Sequence, residues 1–284
     1  MLRLTRVEHS LIGGIGVLVG AIITTRLEQV ALTIGRLLAG SLVAVFLIAG
    51  CFALNDLVDL EVDRKNRRFD RPLVTGELSE REVLISIIAS LLLGLISATF
   101  LGLVPFVVAV VWLIFGVLYD IKLKELGLIG NLYVATTYGA PWYFGSLLFV
   151  PRNPQTWVAI GSLSLIAFIA GMGREILKGV MDVEGDPLRN VRTVALTHGT
   201  QKAAQVAALI IFGAIALTPL PFFFSFDRSL IYLMLVSVTN LLLIRACLSL
   251  LKEQSYDTAR NARNRTLIAF IIGAMAFLGG AIGP

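Results

Sequence analysis

Apolar runs of about 17–25 residues recur from one end of this chain to the other, and they limit its fold more than any other feature. A run of that length crosses the hydrocarbon core of a bilayer as a helix. With no water there to bond the backbone, each run must satisfy its own amides and carbonyls. Only 15% of the 284 residues are charged and 57% are hydrophobic, with mean hydropathy +0.85. Soluble domains carry about a quarter charged residues. The chain is therefore expected to be an all-α, polytopic membrane protein. Nine spans are predicted, at about 10–25, 30–54, 82–103, 105–119, 128–150, 156–173, 203–224, 229–250 and 266–283. The first could mimic a signal peptide, but another span follows at once and no small-residue cleavage site ends it, so it is read as retained.

Nine spans place the N-terminus and the connections after even-numbered spans on one side. All of the 24 Lys and Arg residues lie on that side except Arg26, Arg36, Arg152 and Arg228. The positive-inside rule then puts the N-terminus in the cytoplasm and the C-terminus outside, in a multi-pass cell-membrane protein. Of the 19 Asp and Glu residues, only Glu28 and Asp227 lie on the other side. Orientation accounts for the cations but asks nothing of the carboxylates. A site on the cytoplasmic face is needed to explain them.

The densest charge lies in NDLVDLEVDRKNRRFDRPLVTG, residues 55–76, where the second span ends. Asn55, Asp59 and Asp63 are spaced so that a helix carries them within about 80° of arc. Stacked carboxylates repel unless a cation lies among them. Mg²⁺ suits such a set, because it takes few carboxylates and accepts phosphate oxygens as further ligands. Asp56 adjoins this face, while Glu61 points away. A second constellation, Arg174, Lys178, Asp182 and Asp186, repeats every fourth residue at the end of the sixth span. Pro187 disfavours helix at Asp186, which is expected where that helix unravels. Lys122, Lys124, Lys178, Arg68, Arg71 and Arg174 are candidate cationic contacts for a diphosphate. Cys51 and Cys247 sit in apolar runs as free thiols, and two edge histidines make no hydrolytic arrangement. The glycines at 13, 14 and 16 read as helix-packing contacts.

These segments resemble the UbiA superfamily of intramembrane prenyltransferases. NDLVDLEVD fits its NDxxDxxxD motif, RPLVTG at 71–76 its RPxxxG, and DVEGD at 182–186 its second aspartate motif. YDIKLKELGLIGN at 119–131 is similar to its YSxxLKxxGxxGN connection. The resemblance spans nearly the whole chain, in order. It implies one domain over 1–284, a bundle around a central cavity with cytosolic cap loops at about 63–81, 119–127 and 174–202. It further implies Mg²⁺ as cofactor, with Asn55, Asp59 and Asp63 at one ion, joined by Asp56 as a neighbouring ligand, and Asp182 and Asp186 at another. Lys124, with Lys122, would contact the diphosphate.

The reaction so implied transfers a prenyl group from an isoprenyl diphosphate to a lipophilic acceptor, with no nucleic acid and no obligatory protein partner. RVEHS at 6–10 and GREILKGVMDVEGD at 173–186 look most like the archaeal branch that makes ether lipids. That likeness favours a geranylgeranyl donor and the hydroxyl of geranylgeranylglyceryl phosphate. The alternative is an aromatic acceptor such as 4-hydroxybenzoate. Two departures bear on the acceptor: Arg6-Val7-Glu8-His9 stands where RPxN is common, and Gly179 follows Lys178 where the lipid synthases carry Asp. Phe115, Tyr119, Tyr138, Trp142 and Tyr143 are candidates to shield an allylic cation, and Arg6, Arg189 and Arg192 to bind an acceptor phosphate. A phosphotransferase of CDP-alcohols would need a DGxxAR segment, which does not occur. A secondary transporter would place its ionisable groups near the bilayer midplane, whereas these gather at one surface.

Overall fold

The computed structural model describes residues 3–25, 34–65, 68–149, 154–183, 193–226 and 228–282, and among them every regular element is helical. The long helices are α1 (Val7–Thr25), α2 (Ile34–Val58), α5 (Glu80–Thr99), α6 (Leu103–Ile121), α7 (Leu128–Ser146), α8 (Pro154–Asp182), α10 (Thr200–Leu217), α12 (Leu230–Lys252) and α13 (Tyr256–Ile282). Short helices link them: α3 (Leu60–Lys65), α4 (Pro72–Thr75), a 3-10 turn (Leu123–Leu126), α9 (Val194–His198) and α11 (Pro219–Phe224).

Eight helices among the described residues are long and apolar enough to cross a membrane, with α10 and α11 counted together. Each of the nine predicted spans falls on a helix, but α7 is not among those eight. Its 19 residues match the others in length. It falls short in hydropathy because Asn131, Tyr133, Tyr138 and Trp142 on it line an internal cavity. Two helices outrun their predicted spans. α8 continues through Asp182 and α13 starts at Tyr256, each adding about a turn or more beyond the apolar stretch.

α2 packs on α5, α1 bridges α2 and α7, and α7 lies on α8. α8 then contacts α10 and α13, α12 pairs with α13, and α13 returns to α1. The ring thus closes around the cavity. Glycine lets α1 come close to its neighbours. A Cβ on Gly20 would fall 2.1 Å from the Trp142 carbonyl oxygen of α7, and one on Gly16 2.8 Å from Pro141. Gly13 and Gly14 likewise sit against Ile48 and Val45 of α2, as close-packing glycines should. Gly20→Leu is expected to separate α1 from α7 and destabilise the bundle by about 1–3 kcal/mol. Thermal unfolding in detergent reads this, and an unchanged melting point would contradict the contact.

At the opposite end from the acidic motifs, Arg36 staples two helix junctions. Its Nε donates to Leu148 O at 3.2 Å and its Nη2 to Leu101 O at 2.9 Å. These carbonyls end α7 and α5 and would otherwise lack partners.

Candidate active site

The site begins with a turn that the sequence specifies residue by residue. Pro72 opens α4 at its first position, where its missing N–H costs nothing. Gly76 closes α4 with φ 77°, a left-handed conformation that favours glycine. Ser79 and Glu82 then form a capping box that starts α5. This hairpin brings Arg71 back onto α2. Arg71 Nη1 donates to Asp56 Oδ1 at 2.6 Å, and its Nε lies 3.8 Å from Asp63 Oδ2. Arg6 reaches the same Asp56 oxygen at 3.1 Å. Its backbone is also left-handed, with φ 40°, and its guanidinium lies 4.4 Å from the Phe52 ring centroid. Burial and the neighbouring Arg71 hold the Arg6 guanidinium below its ordinary pKa.

Asp56 and Asp63, each 2% exposed, therefore form ion pairs with Arg71 beside the α3–α4 turn and do not line the cavity. α2 and α3 divide at Asp59, yet Asp59 N and Asp63 N still donate to Asn55 O and Asp59 O at 2.9 and 2.8 Å, so the helical path continues through the motif. Asn55 and Asp59 remain on the cavity wall, whereas Asp63 faces Arg71. Asp56 lies about 100° of helix arc from Asn55, which turns it inward.

Asn55 and Asp59 are knitted to two further groups. Asn55 Nδ2 donates to Asp120 Oδ1 at 2.9 Å and to Asp59 Oδ2 at 3.3 Å. The amide oxygen of Asn55 is thus turned the other way, 3.5 Å from Arg6 Nη2. Lys124 Nζ donates to Asp59 Oδ1 at 2.5 Å. Asp120 escaped the sequence reading, although it sits in the quoted 119–131 segment where serine is the family's residue. Lys122 is exposed and does not line the cavity. Arg68 does, and its Nε and Nη2 hold both carboxylate oxygens of Asp70, which pushes the Asp70 pKa down to about 2.

Across the cavity, Arg174 and Lys178 project from α8. Between them Glu175, 8% exposed, accepts from Tyr138 Oη at 3.0 Å and lies 3.3 Å from Arg174 Nη1 and 3.6 Å from Lys178 Nζ. Glu175 is a second group the spacing argument passed over, since it stands off the every-fourth-residue stripe. Asp182 is the last residue of α8; its side chain, and all of Asp186, Arg189 and Arg192, lie outside the described residues.

The cavity that these poles share holds about 1990 Å³. Below the charged mouth its wall is apolar, with Val17, Leu47, Leu113, Ile166 and Leu278 among the lining side chains. Tyr119 stacks on Tyr133 at 5.1 Å, with Trp112 beside it. Tyr138 and Trp142 also line the cavity, whereas Phe115 and Tyr143 are exposed on the outer surface. Among the described residues no three His, Cys, Asp or Glu side chains converge on one point. The donor set still suits Mg²⁺, which needs only one or two protein carboxylates with water and phosphate oxygens. The Lys124 ammonium on Asp59 shows that this carboxylate accepts a cation from the cavity side.

A charged, oxygen-rich mouth over a long apolar cavity defines an integral-membrane protein that binds an amphiphile with an anionic head. The sequence profile of the UbiA prenyltransferase family matches residues 14–271, and the chain belongs to that family. It is similar to the digeranylgeranylglyceryl phosphate synthase of Archaeoglobus fulgidus, 42% identical over 284 residues, covering 98% of this chain and 94% of that protein. A solved structure described as digeranylgeranylglyceryl phosphate synthase in membranes superposes with a TM-score of 0.79 at 29% identity, covering 100% and 98% of the two chains. A UbiA homologue from Archaeoglobus fulgidus bound to GPP and Mg²⁺ shares the fold, with a TM-score of 0.65 at 20% identity and 97% and 98% coverage.

Proposed function

We propose that this enzyme transfers a geranylgeranyl group from its diphosphate to the hydroxyl of geranylgeranylglyceryl phosphate, with Mg²⁺ as cofactor. The observation that carries this reading is the pairing of Asn55, Asp59 and Lys124 at the mouth of a large apolar cavity. The 42% identity to a digeranylgeranylglyceryl phosphate synthase supports the acceptor. Asn55 and Asp59 would hold one Mg²⁺, with Asp63 joining once freed from Arg71, and Asp182 and Asp186 would hold another. Bound Mg²⁺ would neutralise charge developing on the diphosphate. Lys124, Arg68, Arg174 and Lys178 supply donors to the same oxygens.

The C1–O bond of the donor breaks and its electron pair leaves with the diphosphate. The acceptor oxygen then bonds to C1, and its proton is released alongside the diphosphate. The cavity wall keeps water from the allylic cation, and the stacked Tyr119 and Tyr133 offer it π faces. Asp56 and Arg71 serve a different purpose, fastening the cap to α2.

The whole of 1–284 is proposed as one domain, capped on the cytoplasmic side by the segments at 63–81, 119–127 and 174–202. The N-terminus would be cytoplasmic and the C-terminus external, as the segregation of basic residues supports. The test supplies purified protein with geranylgeranyl diphosphate and Mg²⁺, and offers geranylgeranylglyceryl phosphate and 4-hydroxybenzoate in parallel. The ether product is expected, lost with a chelator and restored by Mg²⁺. Product from the aromatic acceptor alone would overturn the choice.

A further inference from the structure

Nearly every described cation lining the cavity has a carboxylate within ion-pair distance. Arg3 lies at Glu77, Arg6 and Arg71 at Asp56, Arg68 at Asp70, Lys124 at Asp59, and Arg174 and Lys178 at Glu175. Two cations stand apart. Arg260 and Arg263 of α13 line the same cavity, and no ion pair joins either to a carboxylate among the described residues. Arg263 is half-buried, and its Nε and Nη2 donate to the neutral Asn264 Oδ1 at 3.3 and 3.1 Å. Its Nη1 lies 3.8 Å from Met181 Sδ of α8. Neutral acceptors fix the direction of a guanidinium without cancelling its charge. Two cations that share a low-dielectric cavity wall attract an anion.

Membrane orientation alone would also place arginines at this helix end. It does not choose their face. Arg265 follows two residues later and is exposed away from the cavity, whereas Arg260, Arg263 and Asn264 share the lining stripe. The same face of α13 continues downward as Leu267, Ile271 and Leu278. From Arg263 to Leu278 the helix rises about 22 Å. One side of the cavity thus offers two cations with no carboxylate partner among the described residues, over a long apolar wall, apart from the wall that carries Asp59 and Lys124.

We propose that Arg263, oriented by Asn264, and Arg260 one helical turn before it bind the phosphate of the acceptor, whose hydrocarbon chain lies along α13. This assignment rests on the glyceryl phosphate reading above and places the acceptor phosphate on the α13 wall, away from Asp59 and Lys124. A guanidinium is well matched to it, because its planar fork donates two bonds to one phosphate.

The test compares wild type, Arg260→Gln/Arg263→Gln and the control Arg265→Gln, all purified in detergent and checked by thermal unfolding. Steady-state rates are taken with geranylgeranylglyceryl phosphate varied at saturating geranylgeranyl diphosphate, and then the reverse. The double variant should raise the acceptor KM about tenfold or more, leaving kcat and the donor KM within about twofold. Arg265→Gln should leave both KM values unchanged, and Arg260→Lys/Arg263→Lys should recover part of the loss. A rise in the donor KM would assign these arginines to the diphosphate and overturn the proposal. Unchanged KM values in a folded double variant would overturn it equally, leaving only an orientation role. Wild-type protein that makes no ether product defeats the earlier reading itself, and is distinguished in the first assay.

Discussion

Replacing Asp59 with alanine is expected to lower turnover by about 10³-fold, with the protein still folded and membrane-inserted. Asp59 faces the cavity and pairs with Lys124, its side chain 17% exposed. Water reaches both partners, so losing the carboxylate leaves Lys124 able to hydrate. The cost to the fold is small, while the loss at the reacting end is large. Removing Asp59 would take away one proposed ligand for Mg²⁺ and the negative charge that pairs with Lys124. Single-turnover assays across a range of Mg²⁺ concentrations give the rate, and thermal unfolding gives the fold. Near-normal turnover in this variant would refute a metal-bound diphosphate at Asn55 and Asp59.

Replacing Asp56, three residues earlier, should do the reverse. Asp56→Ala is expected to cost about 3–5 kcal/mol of stability, because it removes the buried carboxylate that two guanidinium groups share. Asp56 is 2% exposed, and a single oxygen, Oδ1, accepts from both Arg6 and Arg71. Its Oδ2 has no hydrogen-bond partner among the described residues. Arg71→Met should offset much of that loss, so the double variant would melt above Asp56→Ala alone. A strictly additive pair would show that the two side chains are not coupled. Activity of Asp56→Ala, measured below its lowered melting temperature, should keep the wild-type Mg²⁺ dependence.

The contrast between these aspartates marks where the sequence was legible. Apolar length predicts helices because lipid leaves the backbone no other partner, and each expected span fell on one. Helical arithmetic separates Asp56 from Asp59 by about 60°, yet it cannot say which face meets the cavity. That choice is made by Arg71, returned to α2 by the Pro72–Gly76 turn. Asp120 was hidden for another reason: its partner Asn55 is 65 positions away. Arg260 and Arg263 were masked by a sufficient rival cause, since membrane orientation already accounts for basic residues on that side. α7 was legible by length, and its lower hydropathy became meaningful only once one face was seen to line the cavity.

The lengths of α8 and α13 have a mechanical outcome. At 29 and 27 residues they measure roughly 44 and 40 Å, against about 30 Å of hydrocarbon. Their polar ends therefore stand clear of the lipid as rigid posts, continuous with the rods that anchor them. Lys178, Arg260 and Arg263 keep their height above the bilayer by helix rise and not by the set of a loop. Swelling or thinning of the surrounding lipid must then be absorbed by tilt, which moves both posts and the groups they carry as a unit.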